Sequence, residues 1–269
     1  MDALPYTAED IPILVRNRHG SVEHYFHFLL GYCIPLVHYF LKNRPALQAK
    51  LLVRSCGPLT HILDDLPINL RILPKAEHNL LLSNNNYVEL HGFDLPQYYS
   101  YSVFTEFRSF VQETAEERKC AAPRAPILLI EREASHSFYE SHEAEIKSSG
   151  AARRALKNHQ ELASWLITAH PQSSNIQLLG DSLYDQFARF HSSDLVIAQH
   201  GAALGNILFM KEGSRVIEIG SGKTKPRSRI FEALCATMRL KYFHLAASDD
   251  FPTINLSAFA NAIDIALRS

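Results

Sequence analysis

In the second half of the chain, short runs of aliphatic and β-branched residues alternate with longer stretches whose apolar positions recur every three or four residues. The runs are Pro126–Ile130, Asn175–Leu179, Asp194–Ala198, Arg215–Ile219 and Lys241–Leu245. Continuous short apolar runs of this kind predict strands buried on both faces, as in a parallel sheet. The intervening stretches predict helices over Arg154–Thr168, Ser182–Phe190, Ala202–Met210, Ile230–Met238 and Ser257–Arg268. Several are preceded by Asp, Ser or Asn, and one is followed by Gly213, which are start and stop signals. A βαβ succession makes a doubly wound α/β sheet, whose ligand crevice lies at the carboxyl ends of the strands.

The first half is less regular. Its pattern predicts a strand at Ile11–Arg16, a long helix across Val22–Leu41, strands near Leu51–Arg54 and Leu70–Leu73, and a helix from Gln97 to Arg118. This reads as a smaller, degenerate α/β domain. The segment Glu116–Pro126 mixes charge, alanine and proline just before a clean buried strand. It sets the expected boundary between an N-terminal domain over 1–122 and a C-terminal domain over 123–269.

Composition narrows the function classes. The 269 residues are 46% hydrophobic and 20% charged, with a formal net charge of −1, so the global basic footprint of a nucleic-acid binder is missing. Cys33, Cys56, Cys120 and Cys235 form no C-x-x-C pair, which argues against a zinc ribbon or thioredoxin-type site and for reduced thiols. No basic n-region precedes an apolar run near Met1, and the apolar stretch Tyr25–Leu41 is interrupted by His27, Pro35 and His38. A cytoplasmic location, with peripheral association at the inner face of a membrane allowed, is the expectation.

The most informative segment is Asp194–Glu218, which reads as strand, tight turn, short helix, Gly213 stop and second strand. Gly201, Ala202 and Ala203 let a ligand approach the backbone, and the N–H groups at the following helix start favour an anion. His200, directly after the strand, could hydrogen-bond a phosphate oxygen or a leaving oxygen on which charge develops. Glu218, at the end of the next strand, could take ribose hydroxyls as acidic residues do in dinucleotide folds. The alternatives are a strand-end histidine satisfied by backbone and a solvated carboxylate.

The stretch Asp194–Glu218 resembles the signature of glycosyltransferase family 61: a strand leading into His-Gly-Ala-(Gly/Ala)-Leu-x-Asn, then Leu-Phe-Met, Gly and Val-Ile-Glu. Leu128–Arg132, followed by Arg154, Asn158, Glu161 and Leu162, resembles the family's strand ending in Arg and its Arg-x-Leu-x-Asn-x-x-Glu-Leu segment. The resemblance implies a GT-B-like α/β fold, two Rossmann-like domains facing a cleft, with the C-terminal one binding the nucleotide sugar. It implies an inverting transfer, from a donor carried by uridine diphosphate, to a glycan, glycolipid or protein hydroxyl, with no metal or other cofactor. It further implies that Arg132 and Arg154 bind phosphates, that Asn158 and Glu161 support the nucleotide pocket, that His200, Gly201 and Ala202 line the diphosphate, and that Asn206 belongs to the same donor-binding set. No Asp-x-Asp for a divalent ion occurs.

The segment Glu23–Leu36 resembles the family's aromatic-histidine helix, with Gly31 standing where an acidic residue is expected. Inverting transfer needs a base for the acceptor hydroxyl. His27 is the first candidate, with Glu23, His24 and Asp94 behind it; the alternative is a core histidine satisfied by hydrogen bonds. Gly220–Thr224 imitates the end of a P-loop, but Ile217 occupies the place of the first glycine. The adjacent Lys223, Lys225, Arg227 and Arg229 form a basic loop that could meet an anion or simply be solvated. A non-catalytic nucleotide-sugar-binding or regulatory subunit is the competing function, and a nicotinamide oxidoreductase is disfavoured by the absence of G-x-G-x-x-G.

Overall fold

A computed structural model of the chain describes residues 10–16, 20–44, 49–83, 86–92, 100–120, 124–147, 149–221 and 228–269. Asp94, Lys223, Lys225 and Arg227, named above, lie outside them. The fold is mixed α/β with two parallel sheets, and the chain divides into two compact units, Met1–Phe107 and Arg108–Ser269.

The first unit is built on strands β1 (Ile11–Arg16), β2 (Leu51–Arg54), β3 (Leu70–Leu73) and β4 (Val88–His91), all parallel in the order β3-β2-β1-β4. Helices α1 (Tyr25–Phe28) and α2 (Ile34–Asn43) are joined by a π turn over Leu29–Cys33, so the single long helix expected from the pattern is interrupted. Pro35 supplies the reason. It has no N–H to give to the carbonyl four residues earlier, that of Gly31, and the ladder widens so that Ile34 N–H reaches Leu29 O. Gly92, just past β4, packs on that turn so closely that a Cβ there would lie 2.2 Å from the Gly31 carbonyl oxygen. Two short helices absent from the expected pattern, α3 (Thr60–Asp65) and α4 (Lys75–Leu82), complete the crossovers. Helix α5 (Tyr101–Glu117) runs across the division between the units.

The second unit carries strands β5 (Ile127–Ile130), β6 (Ser174–Ile176), β7 (Leu195–Gln199), β8 (Arg215–Ser221) and β9 (Lys241–Ala247), parallel throughout in the order β6-β5-β7-β8-β9. Helices α6 (His159–Ala169), α7 (Leu183–His191), α8 (Ile230–Thr237) and α9 (Leu256–Arg268) follow β5, β6, β8 and β9. Leu129, Ile197, Ile217 and Ile219 from the sheet share one core with Leu162 and Leu166 of α6 and Phe259 and Ile263 of α9. Burying each such side chain contributes about 1.5–3 kcal/mol. Ser182 and Asn255 cap α7 and α9, accepting the N–H of Asp185 and Ala258 at 3.1 Å.

In the second unit three expected elements differ, each for a visible reason. The strand expected over Asn175–Leu179 ends at Ile176, because Glu133 takes the N–H groups of both Leu178 and Leu179. The helix expected from Arg154 begins at His159, because Ala155 N–H and Lys157 N–H go to the carbonyls of Asp250 and Pro252 at 3.1 and 2.9 Å. The helix expected over Ala202–Met210 is a 3₁₀ segment, Ala202–Phe209, packed against α7 and α8 with every residue from Leu204 to Phe209 buried. Among the described residues no helix is long and apolar enough to cross a membrane.

Candidate functional site

In the second unit the strand order reverses between β5 and β7, and at such a switch point the loops leave in opposite directions and open a crevice at the strands' carboxyl ends. Arg132 follows β5 and His200 follows β7, so the chain delivers both to this crevice. The Arg132 guanidinium donates to the carbonyl oxygens of His200 at 2.5 Å and Gly150 at 3.2 Å. Its Nε is buried with no hydrogen-bond partner among the described residues. Burial, then repulsion from Arg154 and Arg153, pushes its pKa down to about 10. A buried cation beside two others, with a donor to spare, is an arrangement that an anion would relieve.

Glycines make room for that side chain. A Cβ on Gly201 would lie 1.7 Å from Arg132 Nη2, so only a bare Cα lets the guanidinium lie across the turn. Gly150 has φ +55°, in the left-handed region that favours glycine, and a Cβ there would meet Glu133 O at 2.3 Å. Glu133 itself is raised above the usual carboxylate range, chiefly by burial.

His200 is held from behind. Its Nδ1 bonds Glu218 Oε1, and Tyr242 donates its hydroxyl to Glu218 Oε2 at 2.6 Å. Glu218 is 0% exposed, and its two oxygens are engaged by His200 and Tyr242. Burial and the neighbouring carboxylate push the Tyr242 phenol upward, so it stays a donor. With Nδ1 committed, Nε2 is the nitrogen left to meet a ligand. Phe231 packs edge-on against the ring, centroids 5.2 Å apart.

The remaining expected donor residues fall into two groups. Arg154 lies in the crevice with its Nε on Asp250 at 2.8 Å. Asn158 instead ties the loop after β9 to α6, donating to Ile254 O and accepting Ile254 N–H, both at 2.9 Å, and bonding Glu161 at 3.0 Å. Asn206 is fully buried and donates to Gln186 at 2.8 Å, a contact that fixes the 3₁₀ segment to α7. Ala202 begins the 3₁₀ segment at the edge of the site. Tyr242 and Asp250 were not singled out for this site by the sequence. Tyr242 is separated from Glu218 by a whole crossover, and only the β8–β9 register brings them together.

The first unit has its own reversal of strand order, between β1 and β4. Gly20 follows β1, and a Cβ on it would stand 2.7 Å from His27 Nε2. The His27 ring also meets those of His24 and Phe26 edge-on, with centroids 5.5 and 5.9 Å apart. Glu23, 3% exposed, donates its backbone N–H to Ser21 Oγ at 3.1 Å. His24, His27 and Glu23 therefore gather at one helix start, with Gly31 buried one turn further on. Among the described residues no group of three or more His, Cys, Asp or Glu is placed to hold a metal ion.

A family model described as Glycosyltransferase 61 matches residues 25–217, well over half of the chain. The match runs from the helix start that carries His27 to the strand that leads into Glu218. No curated protein matches the chain.

Proposed function

Since the chain belongs to glycosyltransferase family 61, we propose that it moves a sugar from a nucleoside-diphosphate donor, carried by uridine diphosphate, to a hydroxyl of a glycan, lipopolysaccharide, capsule or protein acceptor. The observation that carries this reading is the buried Arg132 guanidinium at the β5/β7 switch point, with an unused Nε and two further arginines beside it. The diphosphate lies there on Arg132 and Arg154, and the arginines, not a metal ion, offset its charge.

In this reading the acceptor oxygen attacks the anomeric carbon from the face opposite the diphosphate, and configuration inverts. His27 takes the hydroxyl proton as the new C–O bond forms. The bond between the anomeric carbon and the diphosphate oxygen breaks, and the electron pair leaves on the phosphate. His200 donates from Nε2 to that oxygen, and Glu218 stabilises the imidazolium that can do so. A non-catalytic donor-binding subunit is the second reading, favoured by the buried Gly31 where the family's acid is expected.

Calorimetric titration with UDP, GDP, CMP and NAD, each with and without EDTA, tests the proposal. UDP is expected to bind independently of EDTA. Arg132→Met should weaken it about 10- to 100-fold, the weight of about 1.5–3 kcal/mol for a hydrogen bond to a charged group. If no nucleotide binds, or if the variant binds as tightly, the donor site is misassigned. Release of labelled sugar to an acceptor or to water separates the transferase from the binding subunit.

A further inference from the structure

Gln199, the last residue of β7, sits beside the donor crevice with half of its amide unused. Side chains along a strand alternate between the two faces of the sheet. Leu195 and Ile197 point into the core shared with α6 and α9, and Gln199 follows them on that face, 5% exposed. There its Nε2 donates to the carbonyl oxygen of Asp250, in the loop after β9, at 3.0 Å. This contact fixes the amide, because a flipped one would set two acceptors against each other. Oε1 is thereby turned away from Asp250, and it is buried with no hydrogen-bond partner among the described residues.

An orphan acceptor calls for a hydroxyl or an N–H. The diphosphate of a nucleotide sugar carries neither, so Oε1 suits a group next to the phosphates. The two faces of β7 separate the two ends of such a donor. Ala198 is level with Glu218 on the opposite face, and there His200 meets Glu218 and Phe231 of α8. On that side the proposed reading places the leaving oxygen and the sugar. On the Gln199 face, Asp250 holds Arg154 at 2.8 Å and takes the Ala155 N–H on its carbonyl at 3.1 Å, and Pro252 takes the Lys157 N–H at 2.9 Å. Between these two anchors Phe251 stands 41% exposed. An aromatic ring left in water beside an arginine that seeks phosphate is a platform on which a flat base can stack.

We infer that Gln199 and Phe251 form the nucleoside end of the donor site: Gln199 Oε1 accepts a ribose hydroxyl, and the base stacks on Phe251. The inference rests on the donor reading of the crevice. The ribose falls to Gln199 because it is bonded directly to the diphosphate, and Gln199 directly precedes His200, whose carbonyl takes Arg132. The base, further out, reaches the exposed ring. Oε1 becomes accessible as the turn at Asp250 lifts, and the diphosphate promotes this by drawing Arg154 away from Asp250.

Calorimetric titration of the full chain with UDP, 2′-deoxy-UDP, 3′-deoxy-UDP and pyrophosphate tests this. One of the two deoxy nucleotides should bind about 3- to 10-fold more weakly than UDP, the weight of one neutral hydrogen bond. In Gln199→Leu that preference should vanish while pyrophosphate affinity is kept; a purely structural role for Gln199 would lower every affinity and leave the preference standing. Phe251→Ala, at an exposed position, should weaken all three nucleotides about tenfold and leave pyrophosphate alone. Equal binding of UDP and both deoxy nucleotides, or a preference that survives Gln199→Leu, overturns the ribose contact. Should Gln199→Leu fail to fold, the wild-type preference together with the Phe251→Ala result decides. Pyrophosphate bound as tightly as UDP removes the nucleoside end and leaves the anion crevice standing. Binding of neither overturns the donor reading itself, and the nucleoside end with it.

Discussion

The two units use the same backbone device for different chemistry. Each has a parallel sheet whose strand order reverses once, and each places a glycine beyond a central strand, so that a polar side chain fills the space a Cβ would take. In the second unit Gly201 admits Arg132; in the first Gly20 admits His27. The second crevice is thus furnished with buried cations and suits an anion. The first is furnished with rings that can accept a proton, and suits a neutral hydroxyl. A transferase of the proposed kind needs both properties, and the comparison assigns one to each unit.

A matched pair of substitutions would break that assignment most forcefully. In Gly201→Ala the new Cβ collides with the far end of a flexible side chain, so Arg132 swings aside while the fold persists. Nucleotide affinity should fall about 100-fold, the upper end for a charge-assisted contact. In Gly20→Ala the collision is with the His27 ring. Turnover should fall about 100-fold or more, the weight of a general base, while UDP affinity stays within about twofold. Calorimetry and a transfer assay on both variants read the pattern. Equal losses of affinity in the two would dissolve the division of labour.

A smaller effect sharpens the second unit alone. Glu218→Gln keeps the shape of a fully buried residue but removes the carboxylate that holds His200. Transfer should slow about 10-fold or more, by analogy with the loss of an orienting partner, with nucleotide affinity retained through Arg132. Tyr242→Phe should do less, because Glu218 keeps its bond to His200. A Glu218→Gln variant as active as the wild type would leave His200 without a role in leaving-group departure.

The same comparison explains what could be read from the chain. In the second unit the strands β5 and β7 are buried throughout, so Leu195–Gln199 and Ile127–Ile130 are nearly unbroken apolar runs and announce themselves. In the first unit Val88–His91 is half-buried and, with Glu89 on Arg16 at 2.6 Å, carries no such pattern; the sequence does not announce it. The loop His200–Ala202 was legible because small residues after a strand are few in purpose. What could not be read were partners chosen by register: Tyr242 and Glu218 across β8–β9, Asp250 on Arg154, and Glu133 on the amides that ended β6. Asn158 and Asn206 stand in the family motif, and their side chains serve the fold around the crevice.

The least dramatic prediction concerns stability, and again divides the units. In the first, buried His78 on α4 donates from Nε2 to Ile13 O of β1 at 3.0 Å, tying a helix to a central strand. Burial holds its pKa below the usual 6.5, and the Arg54 charge adds to the effect. The unfolded chain therefore takes up the proton first as pH falls. Stability is fully present above about pH 6.5 and is lost as pH drops below it towards the folded value. In the second unit the central strand Leu195–Gln199 is apolar but for its last residue, and the buried His159 bonds Asn175 on the edge strand β6 instead. Amide exchange at Ile13 and its neighbours should accelerate between pH 7 and about pH 5 by more than at Ile197. His78→Gln, which retains an N–H donor but does not titrate, should flatten the pH dependence in the first sheet and leave the second alone. An unchanged slope at Ile13 in that variant would move the acid sensitivity to another group.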